Sequence, residues 1–244
     1  GNTASRPTLP ISLICRESGF FVRKDLVSAG VEKVIGAIAD GIFKEGEALP
    51  SEQALADYLE ISRPTMREVV RTLADRGVVE VVHGKGTFVR FRSEWRDVET
   101  LVEVLRKQLP QDEMNKRLTE VRRMIEVGSS GHAAENRSEE DIKQMESCLR
   151  RYAAADIEGD VAGANAADVD FHNALLRATG NPFLLAVMRP LEGALAESRA
   201  ATTSNPEVRR RASMHHRTIL DAVTAGDPDA AKQAMRAHMD HCLL

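Results

Sequence analysis

The sequence predicts a mainly α-helical protein in two parts: three helices with a β-hairpin, then an antiparallel bundle of about six to seven helices. Three observations carry this reading. The chain is 43% hydrophobic but only 4% aromatic, which suits packed helices better than a β-sandwich. Apolar residues recur at helical spacing along most of its length. Strand-like signals are confined to residues 78–91.

The N-terminal elements follow in order. Residues 1–24, small and polar at their start, are expected to form a flexible tail. Val31, Val34, Ile35 and Ile38 fall at i, i+3, i+4, i+7, the apolar stripe of a first helix, which Gly41 and Gly46 end. Ser51 is a good N-cap for a short second helix with Leu55 and Leu59 on one face. Glu60 and Ile61 make a turn. Ser62 then caps a third helix, and Pro64 sits in its first turn, where a missing N–H is harmless. Met66, Val69, Val70 and Leu73 form its inward stripe, and Gly77 ends it. Val78–Val82 and Thr87–Phe91 read as two strands around the turn His83-Gly84-Lys85-Gly86. Three helices and a hairpin in about sixty residues make a winged helix-turn-helix, placed at residues 25–92.

Residues 93–244 form the second part. Helices are expected at roughly 95–108, 113–135, 138–157, 161–179, 182–203, 207–225 and 227–242. Ser138 and Asp141 suggest a capping box, and Asp227-Pro228 an N-cap followed by Pro. Gly180-Asn181-Pro182 and Asn205-Pro206 punctuate the others.

Charge separates the two parts. The net charge of −4 is unevenly placed: residues 62–92 carry seven basic and three acidic side chains, whereas residues 93–244 carry 20 basic and 25 acidic ones. A local basic footprint on an acidic chain is what a small DNA-reading module needs. No run of about 18 apolar residues occurs, so no membrane span is expected. Cys15, Cys148 and Cys242 are far apart and odd in number, as expected of reduced thiols in a cytoplasmic protein.

With the apolar stripe of the third helix turned inward, Arg63, Arg67 and Arg71 face solvent. Arg63, Thr65 and Arg67 occupy the first turns, the part of a recognition helix that meets base edges. An Arg fork can read guanine, and the hydroxyls of Ser62 and Thr65 can hold phosphates. On charge alone an ordinary solvated helix face fits equally well; the helix-turn-helix spacing and the Gly-tipped hairpin favour DNA. The segments Leu49-Pro50-Ser51-Glu52, Leu55-Ala56, Ile61-Ser62-Arg63-Pro64-Thr65-Met66-Arg67-Glu68 and Gly84-Lys85-Gly86-Thr87-Phe88-Val89 resemble the DNA-binding domain of GntR-family regulators. The resemblance implies DNA contact by Ser62, Arg63, Thr65 and Arg67, with His83, Gly84 and Lys85 from the wing. Gln53 stands where many relatives carry an Arg that touches DNA, so one charge is missing there.

The second part holds a carboxylate and three imidazoles on apolar helix faces. Asp168 and His172 are i, i+4, on a face continued by Leu175 and Leu176. His216 shares its face with Ile219, Leu220 and Val223, and His238 follows Ala231, Ala234 and Met235. Facing helices of a bundle can bring such residues together around Zn²⁺, Ni²⁺, Mn²⁺ or Fe²⁺. The plainer alternative is a set of satisfied core histidines. The stretches Glu120-Val121-Arg122 with Glu126, Asp168-Val169-Asp170-Phe171-His172, Ala178-Thr179-Gly180-Asn181, His216-Arg217-Thr218-Ile219-Leu220 and Ala234-Met235-Arg236-Ala237-His238 resemble the ligand-binding (FCD) domain of the FadR subfamily of GntR regulators, in its metal-binding version.

That second resemblance implies metal ligation by Asp168, His172, His216 and His238, with Zn the leading ion. It also implies a small carboxylate effector held by Arg122 and Asn181, such as a hydroxy acid, keto acid or sugar acid. Val121, Met124 and Ile125 are expected to hold the Arg122 helix against the bundle, with Glu126 orienting Arg122. The function so implied is a ligand-responsive regulator, a repressor by preference, acting as a homodimer on a palindromic operator. The alternatives are a regulator for which the metal itself is the signal and, least favoured, a metal-dependent hydrolase. No His-Glu-x-x-His motif occurs, and no nucleophile adjoins a base, so an enzyme is not expected.

Overall fold

The computed structural model describes residues 14–242. The chain divides into two compact units, Gly1–Gln108 and Leu109–Leu244.

The first unit opens with α1 (Ile14–Ala39), so the expected flexible tail is helical from Ile14, and its first thirteen residues lie outside the described ones. Val31, Val34, Ile35 and Ile38 are all buried, as their spacing requires. They pack against α2 (Glu52–Leu59) and α3 (Arg63–Asp75) through Leu55, Leu59, Met66, Val69 and Leu73. The Ser51 and Ser62 side chains accept hydrogen bonds from the third backbone N–H after each, satisfying donors that a helix start leaves open. Strands β1 (Val79–Val82) and β2 (Gly86–Val89) pair antiparallel with Val79 opposite Val89. Backbone bonds from Gly46 to Val89 and from Leu49 to Thr87 pin the hairpin to the loop before α2.

The compact first unit extends past residue 92, to Gln108. The reason is packing: α4 (Val98–Gln108) lies on α1, with Val104 in the same core. The Gln108 side-chain amide donates to the Ala39 carbonyl at 2.7 Å, closing the open end of α1.

The second unit is the expected bundle: α5 (Gln111–Asn136), α6 (Glu139–Glu158), α7 (Val161–Ala178), α8 (Pro182–Met188), α9 (Glu192–Thr203), α10 (Pro206–Ala225) and α11 (Pro228–Cys242). The capping box of Ser138 and Asp141 forms at the start of α6. The single helix expected over 182–203 is broken into α8 and α9 by a short 3₁₀ turn, Arg189–Leu191. Pro190 lacks the N–H that an uninterrupted helix would use. Phe171, Leu175, Ile219, Leu220, Met235 and Met239 form the dry end of the core.

α5 corrects an expectation. Val121 is 37% exposed and Met124 81%, while Thr119, Arg122, Glu126, Ser129 and Ser130 face inward. A helix that buries its polar stripe must find its partners inside the bundle.

Gly77, just past the end of α3, has φ +75°. A Cβ there would also lie 2.9 Å from the Arg96 backbone nitrogen. Gly77→Ala is therefore expected to destabilise the first unit by at least about 1–2 kcal/mol, the usual penalty of left-handed backbone in an L-residue. Urea unfolding monitored by circular dichroism measures it, and an unchanged midpoint would contradict the steric argument.

Candidate functional site

The residues of the first unit expected to read DNA sort into two groups. Arg63, Arg67 and Gln53 are exposed, as are His83, Gly84 and Lys85 at the hairpin turn. Arg67 is held from below by Glu52, with Nε 3.3 Å from the carboxylate, which steadies a fork that still faces solvent. Gln53 donates to Asp57 on its own helix at 2.7 Å. Thr65 is different. It is only 3% exposed, and its hydroxyl lies 2.7 Å from that of Ser62. The structure therefore places Thr65 in the helix cap and core, out of reach of a nucleic acid. The helical period explains this: Thr65 falls beside Met66 and Val69, on the inward edge.

In the second unit the expected ligand set comes together. α7 supplies Asp168 and His172, α10 supplies His216 and α11 supplies His238; all four are buried. One nitrogen from each histidine lies within 4.8 Å of the other two. Asp168 Oδ1 is 3.3 Å from His216 Nε2 and 3.9 Å from His172 Nε2. Neither ring nitrogen of His216 has a hydrogen-bond partner, and neither has Nδ1 of His238. Buried polar atoms left unpaired are uncommon in a core, and here they belong to histidines that cluster together.

His172 shows how the set is oriented. Arg122 Nη2 lies 3.0 Å from His172 Nε2. A guanidinium only donates, so Nε2 is the acceptor and the ring proton sits on Nδ1. Nδ1 in turn lies 2.6 Å from Glu126 Oε2, close though not well aligned. This is the tautomer a metal-binding imidazole needs, with the second nitrogen on a carboxylate. Glu126 is fully buried and also accepts from Arg122 Nε at 2.8 Å.

The electrostatics follow from burial and neighbours. Desolvation opposes the charge on Glu126, but Arg122, His172 and Arg199 outweigh it and hold the carboxyl well below its usual range. Burial likewise opposes charge on Asp168, and chiefly Arg199 keeps it lowered. Burial pushes His216 down to about 3, and His238 well below its ordinary value. The imidazoles are thus neutral near pH 7; those of His216 and His238 have nitrogens without partners, whereas His172 Nε2 accepts from Arg122 and would have to exchange that bond for a metal.

A cavity of about 360 Å³ opens beside these residues, lined among others by Asn115, Thr119, Arg122, Asp168, Arg199 and His238. Arg122 is part of its wall. Asn181 is not: it is exposed, and its side-chain oxygen caps α8 by accepting from Phe183 N at 3.1 Å. The Gly180-Asn181-Pro182 punctuation was the signal for that role. Arg199, which the sequence reading missed, lies with Nε 3.0 Å from Asp168 Oδ2. Its helix begins only after the Pro190 break, so its face could not be assigned from spacing within one continuous helix.

The two units, a winged helix-turn-helix head and a helical bundle with a polar centre, define a bacterial transcription regulator. Residues 30–89 match the family model for bacterial regulatory proteins of the gntR family, and residues 117–241 match that for the FCD domain. The chain is 32% identical over 208 residues to the HTH-type transcriptional regulator LutR of Bacillus subtilis, covering 83% of this chain and 92% of the relative. It is 30% identical over 205 residues to the galactonate operon transcriptional repressor of Escherichia coli, covering 81% and 86%. A solved structure of Streptococcus agalactiae GntR superposes with a TM-score of 0.50 at 25% identity, over 89% of this chain and 98% of that one. The chain belongs to the GntR family, in its FadR-like, FCD-containing branch. Among the described residues no helix is long and apolar enough to cross a membrane.

Exposure separates two otherwise similar substitutions. Arg67→Ala is expected to weaken specific operator binding by roughly 1–3 kcal/mol and leave folding intact. Thr65→Ala is expected to lower stability by about 1 kcal/mol and leave the operator affinity of the folded protein unchanged. Fluorescence anisotropy on operator and scrambled duplexes, beside thermal unfolding, checks both; the reverse pattern would contradict the assignment.

Proposed function

We propose that this regulator binds a palindromic operator as a homodimer and responds to a small carboxylate recognised at a divalent metal in the helical unit. Arg63 and Arg67 read base edges, Ser62 and the helix start hold phosphates, and His83, Gly84 and Lys85 form the wing. Asp168, His172, His216 and His238 hold the ion, and three nitrogens with one carboxylate suit Zn²⁺ first, with Ni²⁺, Mn²⁺ or Fe²⁺ as alternatives. Such an ion supplies a Lewis-acidic centre with coordination positions left for water or an effector oxygen. Repression relieved by effector is the preferred sign, in keeping with the relative named as a galactonate operon repressor.

The observation that carries this reading is the cluster of three buried, neutral imidazoles around Asp168, with unpaired nitrogens on His216 and His238. A core built only for stability would not leave that many polar atoms without partners. Arg122 completes the site. It is buried rather than part of a surface ion pair, and Glu126 and His172 fix its fork beside the proposed ion. Nε and Nη2 of Arg122 are taken by Glu126 and His172, so a carboxylate on the ion would meet the guanidinium through Nη1.

His172→Ala is expected to cut metal content sharply and abolish the effector-induced thermal shift, since it removes a ligand that Glu126 holds in place. Elemental analysis with calorimetric unfolding tests this, and full metal content would return His172 to a packing role. Arg122→Lys is expected to retain metal and operator binding but lower effector affinity at least tenfold, because Lys keeps the charge and loses the fork. Equal affinity of parent and variant in titration calorimetry would remove Arg122 from the effector site.

A further inference from the structure

Two histidines that the proposed centre leaves unused, His215 and His241, stand beside it. Each is carried by a helix that also carries a buried histidine of the centre: His215 precedes His216 on α10, and His241 lies three residues after His238 on α11. Their ring centroids are 5.4 Å apart, with the planes inclined by 28°. His215 is also 5.8 Å from His238. Within the buried set the separations are 5.2 Å for His172 and His216, 5.2 Å for His172 and His238, and 4.7 Å for His216 and His238. The outer pair thus has nearly the spacing of the inner three.

That spacing suits a shared ion. A ring nitrogen about 2.0–2.1 Å from a tetrahedral divalent ion puts the ring centre roughly 3.2 Å away, so two such rings lie about 5.2 Å apart. Ordinary ring packing covers the same range, so the decision falls to the nitrogens. His241 Nε2 is buried and has no hydrogen-bond partner. Packing for stability alone does not favour such an atom, whereas a bound ion satisfies it. The pair is also within reach of solvent. Both side chains are only partly buried, and His241 lines the cavity together with His238. A hydrated ion can therefore arrive there and keep water in its remaining positions. The carboxylate next in sequence, Asp240, is engaged by Arg123 at 2.9 Å. The two imidazoles thus offer nitrogen donors, which suit Ni²⁺, Cu²⁺ or Zn²⁺ and not the oxygen-seeking Mg²⁺ or Ca²⁺.

We propose that His215 and His241 form a second, outer site for a divalent transition-metal ion, separate from the buried set of Asp168, His172, His216 and His238. The proposal does not require the buried set to hold an ion.

The test is titration calorimetry of the tag-free, chelator-treated full chain with Ni²⁺ alone. The parent is expected to take a second equivalent more weakly than the first. His215→Ala and His241→Ala are each expected to weaken that second equivalent at least tenfold, with the first equivalent and the unfolding midpoint unchanged. His241→Phe, which keeps a ring and removes both nitrogens, is expected to act as His241→Ala does. His172→Ala is expected to weaken the first equivalent and spare the second. His132, beside Glu135 at the surface, serves as the control, and His132→Ala is expected to change neither. A second equivalent that survives in all three outer variants, or that is lost with His132→Ala, would overturn the outer site. So would a single equivalent in the parent that His172→Ala removes. A single equivalent removed by His241→Phe and kept by His172→Ala would instead support the outer site and contradict the buried one. No binding of Ni²⁺ by the folded parent would overturn both.

Discussion

A carboxylate with no access to water, Glu126, sets the terms for the second unit. It is tolerable only because Arg122, His172 and Arg199 surround it. Removing one partner of a buried ion pair commonly destabilises a protein by about 3–5 kcal/mol, because the remaining charge is stranded. The polar face of α5 must therefore point inward, and α7 and α9 must present its partners. Glu126 also joins two functions. One oxygen receives Arg122, the proposed grip on effector, and the other faces the proton-bearing nitrogen of His172, a proposed metal ligand. The geometry of the proposed centre is therefore set by Glu126, which would touch neither the ion nor the ligand directly.

The chain also shows how a net negative protein can carry a local, exposed basic patch. The basic residues of α3 and the hairpin turn are exposed, while their apolar neighbours Met66, Val69 and Leu73 form a dry core with α1 and α2. Glu52 sits under Arg67 and positions it without covering it. The acidic excess is confined to the helical unit, where it limits non-specific attraction to phosphate.

Much of this was legible in the sequence because periodicity and capping chemistry are local. The stripes Val31/Val34/Ile35/Ile38 and Met66/Val69/Val70/Leu73, the caps Ser51 and Ser62, and the box at Ser138 all form as expected. The convergence of Asp168, His172, His216 and His238 was legible because each shares a face with apolar residues. The rest depended on tertiary contacts. The inward turn of α5 could not be read from Val121 and Met124, since its face is chosen by charge partners on other helices. Arg199 lies beyond a proline break, Thr65 is hidden by a one-residue difference in helical phase, and Asn181 is consumed by its own helix cap.

The central claim is that operator binding and carboxylate binding are linked through the metal centre. It is tested most directly by measuring operator affinity for one preparation in four states: metal-loaded or chelator-treated, each with and without a saturating carboxylic effector. Allosteric coupling typically amounts to 1–3 kcal/mol, about 5–150-fold in affinity. The account expects a change of that size on adding the acid to the metal-loaded protein and none after the metal is removed. An equal response in both preparations would contradict it.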